Sequence, residues 1–238
     1  MFRYCPGGQL LPAVIAWLAC VGANASGMLP ETSVVLVRVA DGEGFINVLN
    51  TDAQPALLHT SLEHVAEDPA ELLIAVPPVT RVEPGESQRV RFILTPGEPI
   101  LTQRLKRVSF EGIPQKLPGS TSRISVSVRQ NLPVIIHPTG LVLKADPWTE
   151  LKWSLEHGQL RVRNDSPYVV RLRKGLQLLP GTGTAELPHN YVLPGQQLML
   201  PVQGVALAAF KQVRLFPASL YGFQMPPYEA ALRPRAEP

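Results

Sequence analysis

The stretch RISVSVRQNLPVIIHP, Arg123 to Pro138, decides how this chain is read. Its even-numbered positions Ile124, Val126, Val128, Leu132, Val134 and Ile136 are apolar, and only Gln130 interrupts them. A period of two marks one face of a β-strand. At about 3.3 Å per residue the strand would run on the order of 45 Å, whereas an ordinary strand holds about five or six residues. The spacing therefore predicts a strand that overruns a single sandwich. In its first half the odd positions, Arg123, Ser125, Ser127 and Arg129, are polar, so Ile124, Val126 and Val128 form a row of branched aliphatics that nothing adjacent in sequence covers. Two readings follow: burial against the chain's own core, or a strand held ready to complete another protein's sheet.

Outward from that stretch the chain is a series of short alternating runs. With 25 prolines and 18 glycines among 238 residues, and no window of about 12 residues that keeps a helical period, the pattern is all-β. Val34–Val39 and Phe45–Asn50 flank the hairpin signal Asp41-Gly42-Glu43-Gly44, and Asn50-Thr51-Asp52 is a turn. Pro55–Leu62 and Leu72–Val76 bracket an acidic loop, and Val90–Leu94 and Leu105–Phe110 follow. Seven or so strands at this spacing predict an immunoglobulin-like sandwich. Pro138-Thr139-Gly140 breaks the rhythm, which then resumes through Asn164-Asp165-Ser166-Pro167, a single strand Tyr168–Leu179, Leu198–Val202 and Gln212–Phe216. The expected organisation is two immunoglobulin-like β-sandwich domains, residues 26–138 and 139–225, with a flexible tail over 226–238.

Composition narrows the function. A net charge of +3 with no cluster of interleaved Lys, Arg and aromatics argues against nucleic acid as a partner. Arg3, the apolar run Leu10–Val21 and Ala23-Asn24-Ala25 read as a secretory leader over 1–25, and the apolar run is too short for membrane insertion. Cys5 and Cys20 both fall in that leader, so the remaining chain has no thiol chemistry. His59, His64, His137, His157 and His189 are scattered, no metal-ligand spacing occurs, and no cofactor fingerprint is present. Asp41, Glu43, Asp52, Glu63, Glu67 and Asp68 are read as solvated loop acids. No nucleophile and base can be paired, which argues against an enzyme.

Several motifs bear a family resemblance. Val76-Pro77-Pro78-Val79-Thr80-Arg81-Val82-Glu83-Pro84-Gly85, Arg89-Val90-Arg91-Phe92, Phe110-Glu111-Gly112-Ile113-Pro114, Leu132–Pro138, Asn164-Asp165-Ser166-Pro167-Tyr168 and Tyr191-Val192-Leu193-Pro194-Gly195 resemble the PapD-like periplasmic chaperones of the chaperone–usher pilus pathway. The resemblance implies two sandwiches in a boomerang-like arrangement in the periplasm. Its partners would be incomplete pilus subunits, completed by the chaperone's seventh strand and passed to an outer-membrane usher. The family's groove-filling positions fall on Ile124, Val126 and Val128. Burying three such side chains contributes on the order of 5–9 kcal/mol. The short loop Lys116–Ser122 resembles the branch that builds rod-like pili. Two departures stand out. The family's carboxylate-anchoring Arg and Lys correspond to Ser33 and Pro133, which leaves Arg129 and Lys106 as candidate anchors. The family's interdomain Arg corresponds to His137, so apolar packing by Tyr221 and Phe223 is expected to orient the domains. When free, the chaperone is expected either to self-associate weakly through the exposed edge or to cover it with Ser26–Thr32. The alternative reading is a secreted β-sandwich adhesion or carbohydrate-binding module, which needs a concave aromatic cluster, yet Trp148 and Trp153 lie on opposite parities.

Overall fold

The structure is a computed structural model that describes residues 27–114, 128–204 and 210–233. The leader and its cysteines, Lys116–Ser122, Ile124 and Val126 lie outside the described residues. The described strands fall into two bodies. The first holds β1 (Met28–Pro30), β2 (Val35–Arg38), β3 (Glu43–Asn50), β4 (Ala56–His64), β5 (Leu73–Val76), β6 (Val79–Val82), β7 (Ser87–Leu94), β8 (Arg104–Pro114) and β9 (Arg129–His137). Hydrogen bonds link them in the order β5-β7-β3-β2-β9-β8-β4-β6, with β1 beside β3. β2 and β3 share a single register pair, Arg38 with Glu43. There the path folds over, so that β1, β3, β5 and β7 face β4, β6, β8 and β9. Ile46, Val48, Val90 and Phe92 from one layer meet Leu58, Val108, Phe110, Val134 and Ile136 from the other in one core. The alternation read from the sequence is what points these residues inward.

The second body holds β10 (Lys152–Glu156), β11 (Gln159–Arg163), β12 (Val170–Arg171), β13 (Gly175–Leu179), β14 (Gly183–Glu186), β15 (Tyr191–Val192), β16 (Gln197–Gln203), β17 (Gln212–Leu215) and β18 (Tyr228–Arg233). Its strand path closes on itself, and β12 and β15 pair separately. Two expectations are corrected here. The stretch Tyr168–Leu179 is not one strand: Leu172 N–H bonds to Asn190 O and Arg173 N–H to Phe216 O, so the chain changes neighbours between β12 and β13. Nor is 226–238 a flexible tail throughout. Residues 228–233 form β18, antiparallel to β17 and, at Trp153↔Leu232 and Ser154↔Arg233, parallel to β10. Ala230, buried in the core, holds the strand there, an apolar contribution that the flanking Pro and Arg residues obscured.

The same turn device appears once in each body. Asn50 is fully buried; its Nδ2 donates to Gln54 O and Val82 O, its Oδ1 accepts from Asp52 N–H, and its own carbonyl accepts from Gly85 N–H. Asn164 is equally buried, donates to Tyr168 O and Val192 O, accepts from Ser166 N–H and Oγ, and its carbonyl accepts from Gly195 N–H. In both cases a short amide stitches a strand end to a Pro-Gly turn far along the chain. Because a methyl group cannot replace the bonds that its amide makes to Tyr168 O, Val192 O and Ser166 N–H, Asn164→Ala is expected to cost about 2–3 kcal/mol. Urea denaturation should show an earlier transition of the second body.

Candidate functional site

The site begins with how β9 is bordered. On one side β8 pairs with it from Glu111↔Arg129 to Arg104↔Ile136. On the other side β2 runs parallel to it only from Val35↔Val134 to Arg38↔His137. β1, which leads into β2, bonds to β3 instead. Among the described residues no strand pairs with the second edge of β9 over Arg129–Pro133, and Pro133 has no N–H to offer there. Gly27–Thr32 therefore does not close this edge; it walls a groove. The groove, about 630 Å³, is lined by the 29–33 segment, Gln130, Asn131, Leu132, Tyr221 and Phe223.

Val128 immediately precedes β9, is 43% exposed, and shares its parity with the core residues Leu132, Val134 and Ile136. The other two residues of the aliphatic row, Ile124 and Val126, fall in the segment that is not described. Beside the open edge the outward positions of β8 and β9, Ser109, Glu111, Arg129 and Asn131, are polar. Glu63 accepts from Ser109 Oγ (2.7 Å), Asn131 Nδ2 (3.2 Å) and Arg129 Nη2 (2.6 Å). The Ser109 bond is the leading influence, and with Asn131 and the two nearby arginines it holds the Glu63 carboxyl below its usual range. Arg129 is half-exposed at the start of the open edge.

Lys106 differs from expectation. It is buried, and its Nζ lies 2.8 Å from Asp68 Oδ1 and donates to Asp68 O at 2.6 Å, while Arg104 Nε donates to Asp68 Oδ2 at 2.6 Å. Both Lys106 and Asp68 are inside, so Asp68 is not a solvated loop acid and Lys106 presents no ammonium to a ligand. Burial alone would raise the Asp68 carboxyl, but hydrogen bonds from Arg104 and Lys106, together with their charges, outweigh it and hold the carboxyl below its ordinary value.

The two bodies meet at Val34, Val65, Leu105, Ile135, Val169, Tyr191 and Leu193. Above this cluster, Gln103 N–H donates to Pro167 O, Gln103 Oε1 accepts from Val169 N–H, and Gln103 Nε2 lies 3.0 Å from His137 Nδ1. His137 Nε2 is 2.8 Å from Leu141 O, an acceptor only, which assigns the ring proton to Nε2 and leaves Nδ1 to accept from Gln103. A neutral network thus stands where the resemblance implied an arginine ion pair. Tyr191 Oη donates to Glu67 Oε2 at 3.0 Å, and burial, reinforced by that bond, pushes its hydroxyl up to about 12. The rings of Tyr221 and Phe223 do not orient the domains by apolar packing as expected: the residues are 56% and 71% exposed and lie outside the joint's apolar cluster. Trp148 and Trp153 are buried in the second core and build no surface aromatic cluster. Sequence reasoning missed Gln103, whose neighbours carry no periodic signal, and Arg171, whose Nη1 is buried without an acceptor among the described residues.

Residues 27–142 match the family described as "Pili and flagellar-assembly chaperone, PapD N-terminal domain", and residues 146–227 match "Pili assembly chaperone PapD, C-terminal domain". The chain belongs to the PapD family of pilus-assembly chaperones. The uncharacterized fimbrial chaperone YhcA of Escherichia coli K12 is 40% identical over 210 residues, 88% of this chain and 92% of that protein. Solved PapD-type structures share the fold at lower identity. The E. coli chaperone DraB has a TM-score of 0.70 at 18% identity, covering 87% of this chain and 99% of that one. The Salmonella enterica SafB chaperone, solved with the SafA pilin, has a TM-score of 0.69 at 18% identity over 88% and 98%. The fold is all-β with two immunoglobulin-like β-sandwich domains, as the pattern of short strands predicts.

Two stability measurements test these charges. Asp68→Asn leaves Lys106 buried without a counter-charge and is expected to cost about 3–5 kcal/mol. The folded-state value of Asp68 lies below its unfolded value of about 3.9, so its contribution is complete above that pH and is lost as pH falls through the folded value. An acid titration of stability should therefore lose part of its steepness in Asp68→Asn. Arg171, depressed by burial and then by the charge of Arg107, should tolerate Arg171→Met with unchanged or raised stability in thermal unfolding.

Proposed function

We propose that this pilus-assembly chaperone works in the periplasm by lending the strand that contains Ile124, Val126 and Val128 to incomplete pilus subunits and presenting them to an outer-membrane usher. The observation that carries the reading is the one-sided bordering of β9, which leaves the alternate backbone donors and acceptors of Arg129–Leu132 that point away from β8 facing a groove. A guest strand laid there gains main-chain hydrogen bonds whatever its sequence, and the alternate aliphatic side chains preceding β9 enter the guest's unfinished core. Without ATP, the complex persists because that core has no other filling, and exchange with another strand releases it. The match of the chain to a fimbrial chaperone and to chaperones solved with pilin subunits supports this reading. Arg129, half-exposed where the open edge begins, is the cation we assign to a subunit carboxylate. Ser33 and Pro133 supply no charge, and Lys106 is buried with Asp68, whereas the Arg129–Glu63 pair is open to solvent and can exchange partners.

Val126→Asp and Val128→Asp place a charge where an apolar pocket is expected. Each variant should fold normally yet lose co-purification with a co-expressed subunit from the periplasm. Hydrogen exchange should show those amides of Arg129–Leu132 that point away from β8 slowing only when the subunit is present; equal protection of them with and without it would overturn the reading.

A further inference from the structure

Between β17 and β18 the chain makes a tight loop. Ala218 bridges Gln224, Ser219 N–H donates to Phe223 O at 2.8 Å, Gly222 N–H donates to Ser219 O at 2.9 Å, and Phe223 N–H donates to Ser219 Oγ at 3.1 Å. The loop is also fastened to the other body. Ser33 Oγ, at the junction of β1 and β2, donates to Tyr221 O at 2.8 Å. Gly222 sits at φ 86°, and a Cβ there would meet Ser33 Oγ at 2.4 Å, so both the backbone conformation and the close approach require glycine.

Such a well-tied loop could have turned its aromatics inward. Instead Tyr221 and Phe223 remain 56% and 71% exposed, across the groove from Leu29, itself 51% exposed, and from the unpaired edge of β9. Exposed aromatics on a rigid loop lose little conformational freedom on binding, and aromatic anchors of this kind carry a large share of interface affinity. We infer that Tyr221 and Phe223 form a second wall of the subunit site, contributed by the second body, and grip apolar side chains of the same guest strand that pairs along β9. The inference rests on the proposed strand-lending function, because the groove they wall is continuous with the open edge that function uses. It assigns a role to Ser33 as well: in place of a charge, its hydroxyl holds the aromatic loop at a set distance from the edge.

The test measures subunit affinity and dissociation for the full chain, Tyr221→Ser/Phe223→Ser, Gly222→Ala and Val128→Asp, with circular dichroism to establish folding. Both aromatics are exposed, so the double variant should fold as the parent does. It is expected to bind at least tenfold more weakly, mainly through faster dissociation. Gly222→Ala, which keeps both rings but displaces the loop, should weaken binding in the same direction. If the double variant binds like the parent while Val128→Asp abolishes binding, the aromatic wall is overturned and strand lending stands. If the parent chain itself captures no subunit, both fall. If the aromatics prove to drive self-association of the free chain in sedimentation while subunit affinity is unchanged, their occupant is a second copy and the inference is likewise overturned.

Discussion

The arrangement depends on where β2 stops covering β9. A sheet edge with unpaired N–H and C=O groups attracts any extended chain, and proteins normally cover or charge such edges. Here β2 covers the edge only from Val134 onward, and the segment before it crosses to β3. The uncovered five residues are the consequence of one strand dividing its allegiance between two layers. Charge at the start of the edge, Arg129 paired with Glu63, sits beside it and keeps that face polar without closing it.

An open edge is useful only if the rest of the molecule is stiff. Stiffness comes from satisfied polar groups placed at the joints. Asn50 and Asn164 tie strand ends to distant turns within each body. Gln103 and His137 join the bodies through neutral hydrogen bonds around an apolar cluster. A neutral network of this type costs less desolvation than a buried ion pair, and its direction is set by fixed carbonyls at Pro167 and Leu141. The charged exception, Lys106 with Asp68, is deep in the first body and serves its integrity.

Much of this was legible in the sequence. Period-two alternation located the strands, and Asn-Asp and Pro-Gly pairs located the turns, because both signals are local consequences of backbone geometry. The row Ile124, Val126, Val128 stood out because it had no covering partner nearby. The candidate anchor Lys106 read wrongly for a physical reason: a lysine in a strand looks solvated unless the acid that buries it is known, and Asp68 lies 38 residues away. Tyr221 and Phe223 misled in the opposite sense, since two apolar rings near a chain end suggest packing, and only the loop's hydrogen bonds hold them outward.

By itself, then, the sequence determined the all-β class, the two-body organisation of the strand pattern and the turn asparagines, since each rests on residues within a few positions of one another. Tertiary structure alone decided which edge of β9 stays open, which cations are already occupied, that Ser33 fastens a loop of the other body, and that Leu232 and Arg233 pair in parallel with β10. Those outcomes depend on partners separated by tens to hundreds of residues, and a strand's side-chain period says which face it buries but not which neighbour it bonds.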